Sequence, residues 1–454
     1  MLRKTLLCAS LWLCLQTGAH AATHYIATNG NDAAPGTIDA PVATFGRACQ
    51  LARPGDTVRV RGGTYTRAFS LSCSGTASAP IKFAPQPGET VVIDGSGTAP
   101  DTTLVYFYGK HLDFSGFEIA NGTRSCVGVW GGHGIRIAGN DIHHCQLGGI
   151  WVGHDNYGAN TSITIEGNRV HETALRFRNT TQTSGWPSAI SVGNTIGGVV
   201  RGNRVWNNSG EGIGIGHGEY IDVLDNVTHD NFSTNIYLDH IRESVVARNF
   251  AYTTHNPLFF RYGAPANGIS VANEFSRHQS VHSERIRIVN NVVSQARYGI
   301  YYGNFQMGTG MDDVLIAHNT VYDTVAEAIR LENAPFRNVT VLQNLVDSVP
   351  GRPVLHIGAS GVLLRRNGWS GVTPWPSLPI QGDVFASSGL RARFAALPPS
   401  AMSDARNYAV TPGSVLAASG QTSPDVPTDF LGVKRDDAAS LGAFEVVYVP
   451  AREH

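Results

Sequence analysis

The sequence predicts an all-β solenoid of stacked parallel coils, and three observations predict it. One phrase recurs along the chain: an apolar run, an Asn, then an apolar residue two places on. The Asn positions are Asn140, Asn168, Asn203, Asn226, Asn249, Asn291, Asn319 and Asn344, with Asn367 in a weaker copy, at spacings of 28, 35, 23, 23, 42, 28, 25 and 23. Repeats of this length, made of short β-branched runs, are single coils of a solenoid, and no coil can bury its apolar face alone. Composition agrees: 51 of the 454 residues are Gly and only 15% are charged, which suits many turns and long buried strands and fits neither disorder nor a coiled coil. Downstream of each Asn, apolar positions alternate with period two, the signature of a strand with one buried face.

The elements follow in order. Residues 1–21 have the form of a secretory leader: Arg3 and Lys4, an apolar core over Leu6–Leu15, and Ala19-His20-Ala21 before Ala22. That core is too short to span a bilayer, and no later segment is apolar for long enough. Residues 22–65 are expected to form an N-terminal cap. Within it, residues 44–52 read as a short amphipathic helix with Thr44 as its N-cap, ended by Pro54-Gly55-Asp56. Such a cap shields the open end of a solenoid from edge-to-edge aggregation. Residues 66–370 hold the coils. Residues 371–454 begin with a stretch rich in Pro, Ser, Ala and Gly and are expected to wrap or cap the far end.

Four Cys follow the leader: Cys49, Cys73, Cys126 and Cys145. An oxidising destination, secreted or periplasmic, favours disulfides. Cys126 and Cys145 lie 19 residues apart, close to one short coil. Pairing them leaves Cys49 with Cys73, one of three connectivities that four Cys allow. A formal net charge of −1 gives no basic footprint for nucleic acid, and a monomer without membrane partners is expected.

Both ends of the chain resemble a known group. Tyr25-Ile26-Ala27-Thr28-Asn29-Gly30-Asn31-Asp32, Pro35-Gly36-Thr37, Ala40-Pro41, Thr44, Pro54-Gly55-Asp56 and Gly62-Gly63-Thr64-Tyr65 resemble the N-terminal cap of secreted right-handed parallel β-helix proteins, among them lyases acting on pectate and alginate. Asp429, Gly432, Arg435 and Gly442-Ala443-Phe444-Glu445 resemble the closing motif of the same group. The resemblance implies a right-handed parallel β-helix and an acidic, uronate-containing polysaccharide as partner.

Stacking the second strands places inward pairs at Ile150/Val152, Ile190/Val192, Ile213/Ile215, Ile236/Leu238, Leu258/Phe260, Ile300/Tyr302, Ile329/Leu331 and Leu355/Ile357. The residues between point outward, and parallel neighbours about 4.8 Å apart turn them into columns. One column reads Trp151, Ser191, Gly214, Tyr237, Phe259, Tyr301, Arg330, His356; the next reads Gly153, Gly193, Gly216, Asp239, Arg261, Gly303, Glu332, Gly358. Asp239 and Arg261 thus fall on consecutive coils, with His217, His240 and Tyr262 beside them. The long spacings carry insertions at Arg176–Pro187 and Gly263–Ser283, expected to stand as walls. Trp151, Phe259 and Tyr301 offer flat aromatic area to sugar rings. By contrast, the Asn ladder and the column His143, His171, Trp206, His229, Tyr252 read as structural stacking at turns.

On this reading a β-eliminating lyase would use Arg261 to pair with the uronate carboxylate, His240 or His217 as base, and Tyr237 or Tyr262 as proton donor. Asp239 would orient them or hold Ca²⁺. Lys occurs only at Lys4, Lys82, Lys110 and Lys434, so the Lys base of several resembling lyases is excluded from the central coils. No dense Asp cluster for calcium is evident either. A glycoside hydrolase would pair Asp239 with Glu211; a C5-epimerase and a non-catalytic binding protein are further alternatives on the same surface.

Overall fold

The computed structural model describes residues 21–178, 185–274, 282–349, 352–370, 380–386, 403–410 and 414–446. The candidate leader, parts of both insertions and much of the segment after residue 370 lie outside them. The chain is a parallel β-helix. Its coils form one sheet of 23 strands and a second of 13 strands, and within them every strand pairing is parallel. Parallel pairing runs from Thr23–Ile26 against Thr57–Val60 to Gly368–Ser370 against Val384–Ala386, beyond both ends of the 66–370 segment. Long strands such as Ser188–Arg201 and Glu211–Leu224 run straight through a corner, so each coil serves two faces of the larger sheet.

Corners are made by residues that tolerate a left-handed backbone. Asn194, His217 and His240 occupy one corner column, at φ 50°, 52° and 50°. Asn and His are among the side chains that enter this region most readily. Inward Ile, Val and Leu fill the interior; Ile150, Ile190, Ile213, Ile236 and Ile269 are fully buried.

The Asn ladder pins the second corner. The side-chain oxygen of Asn226 accepts from the main-chain N–H and the side-chain amide of Asn203, both at 3.0 Å. Its own amide donates to Asn249 and to the carbonyl of Val200, both at 2.9 Å. The pattern repeats through Asn344 to Asn367. It ends at Asp383, whose carboxylate accepts from the Asn367 N–H and the Trp369 indole. Each turn therefore satisfies buried main-chain groups that a solenoid corner would otherwise strand.

The capping helix spans Phe45–Leu51, and the Thr44 hydroxyl accepts from the Arg47 N–H at 3.1 Å. Phe45 stacks flat on Phe69, with ring centroids 3.9 Å apart, and closes the core. The disulfides are Cys49–Cys73 and Cys126–Cys145. At the other end Tyr408, Leu416, Leu441 and Phe444 pack against Phe250, Tyr252, Tyr322 and Leu345. Buried Arg435 ties this segment down through Glu445 at 3.1 Å and Asn290 at 2.8 Å. Among the described residues, no helix is long and apolar enough to cross a membrane.

One part of the coil alignment is corrected. Leu258 and Phe260 are not an inward pair: Pro257–Phe259 is a 3-10 turn and Leu258 is 74% exposed. The coil after Ile236/Leu238 is supplied by Asn267–Ala272, where Ile269 and Val271 pair with Ile236 and Leu238. Pro257 has no N–H for the ladder. The chain leaves the sheet after Tyr252, and residues 253–266 make the excursion.

Candidate active site

With Asn267–Ala272 as the coil after Tyr237, the outward columns change. The first now reads Tyr106, Gly128, Trp151, Ser191, Gly214, Tyr237, Ser270, Tyr301, Arg330, His356; the second carries Gly216, Asp239, Ala272, Gly303. Arg261 and Phe259 therefore leave the strand columns. Phe259 is buried and offers no sugar platform.

Arg261 nevertheless reaches the face, from the excursion. Its main chain closes a tight turn with Ala264. Its guanidinium lies 4.3 Å over the Trp186 ring and 5.1 Å from that of Tyr262, and donates to the Ser233 hydroxyl at 3.1 Å. A pocket of about 420 Å³ results, lined by Trp186, Glu211, Ser233, Thr234, Tyr237, Arg261, Asn267, Ser270, Glu274, Tyr301 and Phe305. Both long spacings feed it, one through Trp186 and the other through Arg261 and Glu274.

Two carboxyl groups face this space in different surroundings. Glu211 begins the strand Glu211–Leu224 and folds back toward Gly214, where any Cβ would clash with the Ser188 side chain that holds it. It accepts from the Ser188 hydroxyl at 2.8 Å. Burial pushes its carboxyl up from 4.5 to about 7, reinforced by the charges of Glu274 and Asp239 and opposed by the Ser188 hydrogen bond and Arg261. A carboxylic acid that keeps its proton near neutral pH is matched to general-acid work. Glu274 sits at the exposed rim. Its side chain accepts from the Tyr237 hydroxyl at 2.6 Å, and its main-chain N–H donates to Asp239 at 2.9 Å. Burial and the neighbouring carboxylates hold the Tyr237 phenol far above its usual range, so it keeps the proton that it donates to Glu274.

The sequence-derived site residues thus divide. Glu211, Tyr237, Arg261 and Tyr301 line one pocket, and Tyr301 is braced by Glu332 at 3.1 Å. Asp239 stands behind them, accepting from His240 Nδ1 at 2.8 Å while it anchors Glu274. His240 is buried and stacks on His217 at 4.8 Å in the corner column; neither lines the pocket. Tyr262 is 69% exposed beside Arg261, and Trp151 lies three coils away.

Glu274, Trp186 and Phe305 were not singled out by sequence. Glu274 had a usable signal. Gly268-Ile269-Ser270-Val271 repeats Gly149-Ile150-Trp151-Val152 and Gly212-Ile213-Gly214-Ile215, a small residue before the inward pair that Pro257-Leu258 lacks. Trp186 had none beyond its place in a long spacing. The column His143, His171, Trp206, His229, Tyr252 is a stacked ladder, with His171 4.3 Å from Trp206.

Among the described residues, one group has metal-ligand spacing: His217, Asp239 and His240, with ligand atoms within 4.8 Å of one another. Two imidazoles and one carboxylate suit a borderline ion such as Zn²⁺. They do not fit Ca²⁺, which takes six to eight oxygens. A larger open groove of about 770 Å³ crosses the corner at Gly116, Gly139, Gly167 and Gly202. Its Arg136 is committed to Asp113 and Glu166, and Arg201 to Glu166.

Comparison with known proteins agrees with this architecture. Residues 24–236 match the family model described as a Pel9A-like, right handed beta helix region. Over 217 residues the chain is 30% identical to pectate lyase PEL9 of Emericella nidulans, covering 42% of this chain and 49% of that protein, so the match spans about half the relative's length. It is 28% identical over 343 residues to the uncharacterized protein YwoF of Bacillus subtilis, covering 66% of this chain and 68% of that one. Two solved structures share the fold. XylC in complex with xylose gives a TM-score of 0.62 at 12% identity, covering 94% of this chain and 98% of its own. Pectate lyase Pel9A gives 0.56 at 18% identity, covering 94% and 97%. The chain is a right-handed parallel β-helix repeat protein whose fold resembles that of polysaccharide lyases, and residues 24–236 are similar to the Pel9A-like β-helix region.

Proposed function

We propose that this chain is a secreted or periplasmic carbohydrate-active enzyme that cleaves glycosidic bonds of an acidic, uronate-containing polysaccharide, acting as a monomer. One observation carries the reading: two carboxyl groups share a pocket, and their environments differ. Glu211 is held near 7 and carries a proton. Glu274 is held by Tyr237 and Asp239. Glycoside hydrolysis needs a proton donor for the leaving oxygen and a second carboxylate for the sugar carbon or its water. Glu211 takes the first role and Glu274 the second. Arg261 in the same wall suits a uronate carboxylate, and Tyr301 and Phe305 give apolar area for sugar C–H faces. The two disulfides support an oxidising destination.

β-Elimination is the second reading, favoured by Arg261 and by the Pel9A-like region. There Arg261 neutralises the carboxylate, Glu274 removes the adjacent C5 proton, and Glu211 protonates the departing oxygen. Both readings share Glu211 as acid and need no step through Ca²⁺. Incubation with pectate, alginate and glucuronoxylan separates them. New reducing ends without absorbance near 235 nm establish hydrolysis. Reducing ends with that absorbance establish elimination. If no polymer gains reducing ends, the proposal fails.

A further inference from the structure

The pocket face continues toward the N-terminus, where its surface becomes aromatic. Trp151 occupies the Tyr237 column three coils back; Trp130 is one coil further and Tyr106 one beyond that. At about 4.8 Å per coil, Trp151 lies about 14 Å and Tyr106 about 24 Å from Tyr237.

Glycines decide how these rings lie. A Cβ on Gly153 would fall 2.3 Å from the Trp151 indole, so that ring lies down over the glycine. A Cβ on Gly128 would come 3.0 Å from the Tyr106 ring, which covers it in the same way. Trp130 continues the layer, 5.8 Å from Trp151. His154 abuts Trp130 at 4.7 Å and is fixed by the Asn156 N–H at 3.0 Å. Tyr108 stacks on Tyr106 and is 53% exposed. In the His143–His171–Trp206 ladder each ring covers the face of the next, as Tyr108 covers Tyr106; the Trp130 and Trp151 indoles are instead tilted by 31° to one another. Between Trp151 and Tyr237 the columns hold only Ser191, Gly193, Gly214 and Gly216. Among the described residues these strand positions carry no bulky side chain of their own, and the Glu211 side chain over Gly214 marks where the pocket begins.

We infer that Trp151, Trp130 and Tyr106 form a distal saccharide-binding platform, about three to five sugars from the cleavage pocket, for one polysaccharide chain lying along the solenoid axis. The length follows from the coil rise, which is close to the length of one sugar in an extended chain. The occupant follows from the surface: flat aromatic faces match sugar C–H faces, and the floor leads without a step into the pocket proposed above. The inference rests on that functional reading for the chain's direction, and binding tests it separately from cleavage.

The test is affinity electrophoresis of the full chain in gels containing polygalacturonate, alginate or glucuronoxylan. Two variants are compared with the wild type: Trp151→Ala, which removes the indole, and Gly153→Ala, which keeps it but forces it off the floor. Thermal melting confirms that each is folded. At least one polymer should retard the wild type, and both variants should lose about tenfold or more in apparent affinity for it. Wild-type retardation in both variants overturns the platform, as does the absence of retardation by every polymer. Reducing-end release by the wild type on the retarding polymer separates the two ideas: retardation without any cleavage leaves the platform standing and removes the enzymatic reading.

Discussion

Replacing Glu211 by Gln should remove a pH-dependent loss of stability that the fold imposes on itself. The carboxyl is held at about 7 against 4.5 for an ordinary Glu. At about 1.4 kcal/mol per pH unit, the gap amounts to about 3 kcal/mol. The folded protein keeps a proton that the unfolded chain releases. The contribution is therefore fully present below pH 4.5 and is lost as pH rises through 7. Gln keeps the shape and can still accept from the Ser188 hydroxyl, which donates to Glu211 at 2.8 Å. Urea unfolding followed by tryptophan fluorescence, from pH 4.5 to 8, gives the comparison. The stability difference, wild type minus variant, should fall by about 3 kcal/mol across that window. Parallel curves would refute the assignment of a neutral Glu211 and, with it, the choice of proton donor.

Three further outcomes follow from the same geometry. Tyr237→Phe removes the 2.6 Å hydrogen bond to Glu274 and should lower kcat about 10- to 100-fold with KM little changed, measured by reducing-end release. Arg261→Ala should raise KM at least about tenfold for a uronate polymer and leave its methyl-esterified form nearly unaffected, since only the former offers Arg a carboxylate. Asn226→Ala strands the Asn203 N–H and the Val200 carbonyl in a buried corner. It should cost about 2–4 kcal/mol in urea unfolding, far more than a surface Asn.

The solenoid was legible because its corner is chemical as well as geometric. A side-chain amide every 23 to 42 residues is what a stack of turns needs to satisfy its buried main chain. The disulfide between Cys126 and Cys145 was legible for a related reason, since their spacing approximates one coil. The site was harder to read. Leu258 and Phe260 imitate an inward pair, yet their segment leaves the sheet at Pro257. That false coil placed Arg261 on a strand and hid Glu274. Arg261 still reaches the pocket, because a loop leaving the neighbouring coil must return over the same face. His217 and His240 attracted notice as titratable groups, and the structure gives them a backbone reason to be there: both sit at a left-handed corner. Trp186 lies in an insertion without periodicity, where only the folded chain shows what it touches.

The central claim is that Glu211 delivers the proton to the leaving oxygen. Initial rates of reducing-end release by wild type and Glu211→Gln, on whichever uronate polymer the wild type cleaves, test it most directly. The variant should lose about 10²- to 10⁴-fold in kcat at neutral pH, the range for removing a general acid. A variant that cleaves within a few-fold of the wild-type rate would contradict it.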